Sequence, residues 1–307
     1  MRILITGGAG FLGSALANAL ITKNHEVLVL DDLSAGDPNR LNPEVLFHRS
    51  TITDRPKLWT LLQGVECVYH LAARVVVAES ILYPREYNDV NVSGTVALLE
   101  AMRDVGIPRL IFASSGAVYG NQAEQPISET TPPNPLSPYA VSKLAAEHYI
   151  HTIGALWGTT TIALRIFNAY GPGQPLLPSH SPVIPRFLSQ ALGGGSLVIF
   201  GNGQQTRDFV YISDVVRALV AALTVDNIDH CTINVGSGTE VSIKELAKEI
   251  LSQTHASSNT LYSPVGGGGV SRLRADLTLA QRILGYQPEV TLKEGLRRVL
   301  EEDPRYQ

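Results

Sequence analysis

The stretch TGGAGFLGS, Thr6 to Ser14, follows a short apolar run and places glycines at positions 7, 10 and 13. Glycines at this spacing let the chain turn tightly after a strand, and they let N–H groups at a helix N-terminus approach a pyrophosphate. A plain glycine turn between a strand and a helix is the alternative. The context favours the binding turn, because a strand precedes it, an amphipathic helix follows it, and an acidic residue ends the second strand about 20 residues later. We therefore expect a dinucleotide to bind at this turn.

The acidic residue is Asp31, in the run VLVLDD. A carboxylate at that place accepts hydrogen bonds from both ribose hydroxyls and repels a 2'-phosphate. The sequence thus predicts NAD as the cofactor, in preference to NADP. The neighbouring Asp32 is the rival for this role, and it is equally well interpreted as a solvated loop residue or a second adenosine contact.

Around the turn, apolar runs alternate with segments of helical period. The apolar runs suit strands that are buried on both faces of a parallel sheet; they are ILIT, VLVLDD, VECVYHLAA, RLIFASS and TIALRIFN. Repeated strand–helix–strand units specify an α/β fold, a doubly wound Rossmann sheet with right-handed crossovers. The sequence becomes rich in Pro and Gly after Tyr170. We predict an NAD-binding domain over residues 1–170 with a return segment around 205–237, and a smaller α/β substrate lobe over residues 171–307.

The helical period marks the segments between and after these strands. In the first half they are GFLGSALANALITKN, RPKLWTLLQG, REYNDVNVSGTVALLEAMRDVG and SPYAVSKLAAEHYIHTIGALWG. In the lobe they are VIPRFLSQAL, SDVVRALVAALTV, SIKELAKEILSQ and LTLAQRILG, with strands at LVIF and CTINVG. We expect CTINVG to return to the main sheet.

Composition points to a small-molecule partner. The 307-residue chain has a net charge of -4 and no cluster of Lys and Arg, which argues against nucleic acid and an anionic membrane surface. The two cysteines, Cys67 and Cys231, lie in strand-like runs and predict buried reduced thiols, with neither a disulfide nor a metal site. The first residues enter a strand directly, without a signal-peptide pattern, and no run is long enough for a membrane helix. We expect a cytoplasmic protein.

The segment PYAVSK, Pro138 to Lys143, places Tyr139 and Lys143 four residues apart at the expected start of a helix. Taken alone, this is an ordinary amphipathic first turn. Its significance comes from a resemblance that covers nearly the whole chain. The chain resembles the extended short-chain dehydrogenase/reductases, and most of all the UDP-glucose (UDP-galactose) 4-epimerases. The matching stretches are TGGAGFLG, VLDDLSAG, VYHLAA, NVSGT, SSGAVYG, SPYAVSK, RIFNAYGPGQ, GQQTRDFVYISD and INVGSG.

The resemblance implies that Tyr139 is a catalytic base, that Lys143 is its ammonium partner and that Ser115 hydrogen-bonds the sugar O4. The residue chemistry agrees, since positions i and i+4 share one helix face. A Tyr that acts as a base near neutrality needs its pKa lowered by roughly 3 units. A fixed ammonium and the positive nicotinamide of NAD are expected to provide this in a partly desolvated cleft.

The turn after Ser115 separates three related reactions. The resemblance associates an Asp-Glu pair here with sugar 4,6-dehydratases and a Glu with UDP-glucuronate decarboxylases, whereas SSGAVYG has no carboxylate. Reversible oxidation at C4 through a 4-keto sugar is therefore the predicted reaction. UDP-glucuronate 4-epimerases tend to carry an Arg where this chain has Gly173. A neutral hexose, UDP-glucose or UDP-galactose or the N-acetyl forms, is expected; a UDP-glucuronate 4-epimerase and a one-way NAD-dependent reductase are the alternatives.

The resemblance also supplies the expected contacts. The cofactor set is Gly7, Gly10, Phe11, Leu12, Gly13, Asp31, Asp32, Ser34, Thr51, Ile52, Leu71, Ala72, Ala73, Asn91, Ser114, Tyr139 and Lys143. The substrate set is Ser115, Asn168, Val183, Phe200, Arg207 and Arg272. Asn91 is equally well interpreted as a helix cap, and Arg207 as the partner of Asp208 or Asp214.

Two departures from the family pattern stand out. Thr51 occupies the place of an Asp that contacts adenine, so the Ile52 backbone is an alternative adenine contact. The usual Arg-Pro-Gly-Asp before the last helix is replaced by PVGGGGVSRLRAD, so we expect Arg272, with Arg274 as the alternative, to supply the second diphosphate arginine. The family pattern also places Leu273 at a pocket position that sets tolerance of an N-acetyl group, and implies a homodimer formed through REYNDVNVSGTVALLEAMRDVG and YAVSKLAAEHYIHTIGALWG.

Overall fold

The computed structural model describes residues 1–177, 180–226, 228–264 and 270–307. The tetraglycine Gly266–Gly269, singled out above, lies outside the described residues. The strands are β1 Arg2–Thr6, β2 Glu26–Asp31, β3 Leu46–Arg49, β4 Cys67–His70, β5 Arg109–Ser115, β6 Thr160–Ile166, β7 Asn168–Tyr170, β8 Leu197–Phe200, β9 Thr206–Arg207, β10 Phe209–Tyr211, β11 Cys231–Val235, β12 Val241–Ser242 and β13 Thr260–Ser263.

Helices connect these strands. The α-helices are α1 Phe11–Ile21, α2 Arg55–Leu61, α3 Val77–Leu82, α4 Pro84–Asn88, α5 Gly94–Val105, α6 Pro138–Trp157, α7 Val183–Leu192, α8 Ile212–Thr224, α9 Ile243–Thr254, α10 Thr278–Leu284 and α11 Leu292–Glu302. Pro38–Arg40 and Gly116–Tyr119 form 3-10 turns, and Asp89–Ser93 forms a π-helical turn. Among the residues that the structure describes, none of the helices combines the length and the apolarity needed to cross a membrane.

The central sheet has seven parallel strands in the order β11-β6-β5-β4-β1-β2-β3. One apolar cluster packs α1, α8 and α10 on one face, and a second packs α2, α5 and α6 on the other. The continuous apolar runs of the sequence correspond to these doubly covered strands. The predicted doubly wound fold is confirmed.

A smaller lobe follows the fifth crossover. Its own core joins α7, α9 and α11 with β8 and β10. Two short ribbons, β8 with β13 and β9 with β12, complete it. Strand β11 leaves the lobe and pairs with β6 at the edge of the main sheet. The boundary at residue 170 stays a prediction.

The sequence analysis did not reveal every element. REYNDVNVSGTVALLEAMRDVG is helical as predicted, but the π-helical turn Asp89–Ser93 interrupts its regular α-helical period. β3 was missed because its four residues form an edge strand without a fully buried position. α11 was missed because charged side chains dominate LKEGLRRVLEE, and only three of its residues are buried.

Candidate active site

The glycine turn lies at the carboxyl ends of β1 and β4, where the strand order of the sheet reverses. Gly7 has a φ of +70°, and a Cβ added there would lie 2.6 Å from the backbone nitrogen of Ala72. A Cβ on Gly13 would collide with the Gly7 carbonyl. Both positions therefore require glycine, and the segment Leu71–Ala73 lies directly against the turn. The backbone N–H groups that begin α1 are left accessible to a phosphate group.

Asp31 ends β2 beside this turn and is buried. Its carboxylate accepts hydrogen bonds from the Ala9 nitrogen at 3.0 Å and the Leu33 nitrogen at 2.9 Å. Burial raises its pKa, while those backbone donors oppose the rise. Asp32 is exposed, and among the described residues its carboxylate accepts from the Ser34 nitrogen alone, at 2.8 Å. The geometry favours Asp31 for the adenosine ribose and leaves Asp32 as a loop residue.

Asp31→Asn is expected to weaken NAD binding about tenfold and to reduce the preference for NAD over NADP, because a hydrogen bond to a charged group contributes about 1.5–3 kcal/mol. Asparagine keeps the side-chain shape and removes the charge. Asp32→Asn is the matched control, with unchanged affinity expected. Dissociation constants for both nucleotides, measured by calorimetry, check this. Equal losses in the two variants would contradict the assignment.

The other predicted cofactor residues follow the same edge of the sheet. Phe11 and Leu12 begin α1, while Ser34, Thr51 and Ile52 follow β2 and β3. Thr51 is exposed, and Ile52 is buried against Gly94. Their contacts with the cofactor stay predictions.

The Asn91 side chain connects two segments of the site by hydrogen bonds. Its side chain accepts from the Arg74 nitrogen at 2.8 Å and donates to the Arg74 oxygen at 3.0 Å. It also donates to the Ser142 hydroxyl at 2.9 Å, and Ser142 donates to the Tyr139 carbonyl. Asn91 lies inside the π-helical turn and does not cap a helix. It fixes the segment after β4 to the start of α6.

PYAVSK begins α6 as the sequence predicts. The Ser137 hydroxyl accepts from the Ala140 nitrogen at 3.2 Å, and Pro138 occupies the first turn. Tyr139 and Lys143 follow on one face, and both are buried. Ser115 ends β5 and lies beside the Tyr139 phenol; burial raises the pKa of this phenol, and the interaction with the Ser115 hydroxyl opposes that rise. The structure thus brings the three predicted catalytic residues together at the carboxyl end of β5.

The Lys143 side chain contacts the carboxyl-terminal part of β5. Its ammonium donates to the Ala113 carbonyl at 2.8 Å and lies 4.7 Å from the centroid of the Phe112 ring. Burial lowers the Lys143 pKa to about 7, and it raises the pKa of Tyr139 above the ordinary value. The protein groups alone therefore do not produce the expected fall in the Tyr139 pKa. We expect this fall only when NAD is bound and its positive nicotinamide lies near the phenol.

Comparison with known proteins gives the family. The chain matches the NAD dependent epimerase/dehydratase family over residues 3–236. It belongs to that family. It is 40% identical to a putative UDP-glucose 4-epimerase of Methanocaldococcus jannaschii over 97% of each chain. The crystal structure of UDP-glucose 4-epimerase from Thermotoga maritima with UDP-glucose superimposes with a TM-score of 0.94 at 35% identity, covering 98% of each chain.

A further neighbour is the UDP-N-acetylglucosamine 4-epimerase from Methanobrevibacter ruminantium M1 in complex with UDP-N-acetylmuramic acid. Its TM-score is 0.93 at 31% identity, covering 98% of this chain and 97% of that one. The family resemblance and NAD as the cofactor are thereby confirmed. The glycine turn, which no side chain larger than glycine fits, and the carboxylate beside it suit a dinucleotide.

On the substrate side, Arg207 has the properties of an anion ligand. It is partly buried, its Nη1 donates to the Thr206 carbonyl at 2.7 Å, and burial lowers its pKa. Within the described residues it forms no ion pair, because Asp208 accepts from backbone nitrogens and Asp214 pairs with Arg217. The alternative of an Arg207–Asp pair is therefore not observed.

Asn168 begins β7, next to the strand that follows Arg207. Its nitrogen donates to the Asp208 carbonyl at 3.0 Å, which pins the backbone. Its side-chain Oδ1 is buried and has no hydrogen-bond partner among the described residues. A buried acceptor without a donor is costly, so this atom suits a ligand that donates a hydrogen bond.

Val183 and Phe200 both belong to the smaller lobe. Val183 begins α7, and Phe200 ends β8 with 39% of its surface exposed. The sequence analysis missed Arg186, whose guanidinium lies 4.9 Å from the centroid of the Phe200 ring. The available signal was a lone Arg three residues after Val183 in an apolar helix without an acidic partner. Arg186 supports Phe200 from one side and leaves its exposed surface to a planar ligand.

Arg272 is engaged elsewhere. Its Nε and Nη2 each donate to the Glu240 carboxylate at 2.7 Å. Glu240 also accepts from Thr206, and side chains alternate along a strand, so this cluster lies on the opposite face of the β9–β12 ribbon from Arg207. Arg274 donates to the Gly238 carbonyl at 2.8 Å. The structure does not bring Arg272 and Arg207 to one face, and the diphosphate role of Arg272 stays a prediction.

A buried ion pair beneath the catalytic residues was also missed. Glu147 of α6 pairs with Arg165 of β6, and Ser114 donates to Glu147. Ser114 was predicted to contact the cofactor, but its hydroxyl is occupied by this carboxylate. Arg165 interrupts the otherwise apolar run TIALRIF, and a charge in a strand covered on both faces requires a partner. That reasoning was available from the sequence, although it does not identify Glu147.

Proposed function

We propose that the protein is an NAD-dependent nucleotide-sugar 4-epimerase that interconverts UDP-glucose and UDP-galactose, or their N-acetyl forms, through a transient 4-keto sugar. One observation carries this most: Ser115, Tyr139 and Lys143 meet at the end of β5, and the turn SSGAVYG that follows holds no carboxylate. Glu147, on the same helix as Lys143, has its oxygens occupied by Arg165 and Ser114. The described part of this site therefore offers no extra acid and base of the kind that elimination or decarboxylation requires.

Different residues of the chain have different roles in the proposed reaction. Gly7, Gly13 and Asp31 suit the pyrophosphate and ribose of NAD, and NAD supplies a reversible hydride acceptor for C4 of the sugar. Tyr139 takes the O4 proton and returns it, and Ser115 orients O4 beside it. The ammonium of Lys143 favours the charged form of the phenol. Burial of Tyr139 and Lys143 limits the access of water to the exchange, while Ser115 is half-buried.

One observation favours the UDP-glucuronate alternative. The Arg40 guanidinium lies 3.2 Å from where a Cβ at Gly173 would stand. Its acidic neighbour Asp37 is 4.0 Å away and half exposed, so the pairing is weak. A cation therefore lies next to the position at which glucuronate epimerases carry their arginine. UDP-glucuronate belongs in any substrate test.

The test is a substrate panel without added cofactor. Purified protein is incubated with UDP-glucose, UDP-N-acetylglucosamine, UDP-glucuronate or dTDP-glucose, and the products are separated by chromatography. We expect conversion of UDP-glucose to an equilibrium mixture, with protein-bound NAD(H) seen in the absorbance. Turnover only with stoichiometric added NADH would support the one-way reductase. Conversion of UDP-glucuronate alone would favour the alternative above.

We also propose that the protein is a homodimer. A groove of about 640 Å³ runs between α4, the π-helical turn and α6, and Val141 and Leu136 line it with 52% of each side chain exposed. Ile81 and Leu82 of the adjacent α3 are each 64% exposed. Relatively large apolar patches of this kind mark interfaces between chains. The proposed partner is a second copy of α4–α6.

Val141→Glu is expected to convert the dimer to a monomer, because it places a charge within the apolar interface. Light scattering coupled to size-exclusion chromatography measures the mass. Leu261→Glu, on the exposed strand β13 of the lobe, is the matched control and is expected to leave the mass unchanged. A monomeric wild type, or a dimer that tolerates Val141→Glu, would contradict this interface.

The cytoplasm is the proposed location. Cys67 and Cys231 are free thiols, which a reducing compartment preserves. Cell fractionation followed by the epimerase assay tests this, and recovery of the activity in a membrane or secreted fraction would contradict it.

A further inference from the structure

Glu147 lies one helical turn beyond Lys143 on α6, and its side chain is 3% exposed. Arg165 of β6, 7% exposed, donates through Nη2 to Oε2 at 2.7 Å and through Nε to Oε1 at 3.1 Å. Ser114, which precedes the catalytic Ser115, donates to the same Oε1. The carboxylate is therefore held by three elements, α6, β5 and β6.

Arg165, the other member of the ion pair, is also held in place. The Arg165 guanidinium lies 4.7 Å from the centroid of the Tyr119 ring, and the Tyr119 hydroxyl donates to Asn234 Oδ1 at 2.8 Å. Asn234 of β11 donates in turn to the Ile127 carbonyl at 2.9 Å. This chain of contacts gives the ion pair little freedom to rearrange. Buried ion pairs of this kind add little net stability compared with apolar packing, so a role beyond stability is worth testing.

Lys143 lies four residues before Glu147, on the same face of α6. Among the described residues its ammonium donates to one acceptor, the Ala113 carbonyl, and burial disfavours its charge. The charged or titratable groups around it are His70 from β4, Tyr139 and Glu147 from α6, and Arg165 from β6. His70 is neutral because burial lowers its pKa to about 3. Glu147 is the group that raises the Lys143 pKa and opposes the effect of burial.

We propose that Glu147 is a positioning residue for catalysis: its carboxylate, fixed by Arg165 and Ser114, keeps the buried ammonium of Lys143 charged beneath the Tyr139 phenol. The inference rests on the proposed function, because it assigns a role within the same reaction. Glu147 does not touch the substrate. It acts through Lys143, and it acts by charge as well as by shape.

The direction in which the kcat–pH profile should shift follows from the charge that each substitution removes. Glu147→Gln removes a negative charge, which favours neutral Lys143 over the ammonium and the Tyr139 phenolate over the phenol. Both limbs of the kcat–pH profile should therefore move to lower pH. Removal of one buried charge from a neighbouring helix position, at an effective dielectric of about 20, is expected to change a pKa by roughly one to two units. Arg165→Gln removes the positive member and should move both limbs to higher pH.

The experiment is the kcat–pH profile of the wild type, Glu147→Gln and Arg165→Gln with UDP-glucose. The Lys143 side chain is also titrated in each protein by NMR after 15N-lysine labelling, with Lys143→Met to assign the signal. Asp214→Asn is the control, since it removes a buried carboxylate of α8 that pairs with Arg217. We expect it to lower the melting temperature without moving the limbs or the Lys143 titration.

Opposite shifts in the two variants support the inference. A loss of kcat that is equal at all pH values, with an unmoved Lys143 titration, would overturn it. If one variant fails to fold, the other still gives a shift of defined sign. A wild type without activity on the sugar panel would contradict the proposed function, whereas an active wild type with unmoved limbs would contradict only the role of Glu147.

Discussion

Tyr139→Phe is expected to lower kcat about 1,000-fold, within the range of about 10²–10⁴ for loss of a general acid or base. Phe retains the buried ring and removes only the hydroxyl that faces Ser115. The substitution alters neither the fold nor the glycine turn, so the variant should purify with NAD bound. Initial rates of UDP-sugar interconversion and the absorbance of bound NAD(H) measure the two properties.

Tyr149→Phe is the matched control for this substitution. Tyr149 lies on the same helix with 45% of its surface exposed, so the same loss of a hydroxyl should leave kcat unchanged. Undiminished turnover in Tyr139→Phe would disprove the role of the phenol as the base. A loss of bound NAD would show instead that the residue serves mainly to hold the cofactor.

Arg207→Ala is expected to raise the KM for the UDP-sugar about 100-fold, with a smaller change in NAD affinity. The guanidinium is partly buried, and within the described residues it has no acidic partner, so we expect a diphosphate to provide the counter-charge. Charge-assisted bonds of about 1.5–3 kcal/mol each, in a bidentate pair, account for an effect of this size.

Two further variants make the Arg207 result specific. Arg297→Ala removes an exposed arginine of α11 that pairs with Glu294 and Glu301, and it should leave the KM unchanged. Arg272→Ala tests the predicted second diphosphate ligand. An unaltered KM in Arg272→Ala would contradict that prediction and agree with its pairing to Glu240. An unaltered KM in Arg207→Ala would exclude Arg207 as a phosphate ligand.

The sheet was predictable because its evidence is local. Strands covered on both faces are apolar at consecutive positions, and the required glycines at 7 and 13 are visible as residues. Tyr139, Lys143 and Ser115 were identified through the family motifs SPYAVSK and SSGAVYG, and the proline before Tyr139 and the close of the apolar run at Ser115 marked where α6 begins and β5 ends. Because the strands of the main sheet are parallel, their carboxyl ends lie at one edge of the sheet.

The errors concern features that depend on distant partners. The π-helical turn at Asp89–Ser93 places Asn91 against Arg74 and Ser142, contacts that helical periodicity cannot reveal. The Glu147–Arg165 pair joins α6 to β6, and an i+4 carboxylate beside Lys143 looks like an ordinary helix-surface pair in the sequence. Arg272 was assigned by its proximity to the tetraglycine, whereas its direction is set by Glu240 on another strand.

The position of β11 has a consequence for how the chain folds. The main sheet receives this strand only after the chain has left it for the lobe, between Ile166 and Cys231. Until then β6 is an unpaired edge, open to association with another chain, and Tyr119 and Ile127 lack their partner Asn234. Contacts of such large sequence separation form slowly. During synthesis the glycine turn can therefore be complete before the support under the catalytic residues, so the competence to bind NAD is expected to precede the competence to turn over a sugar.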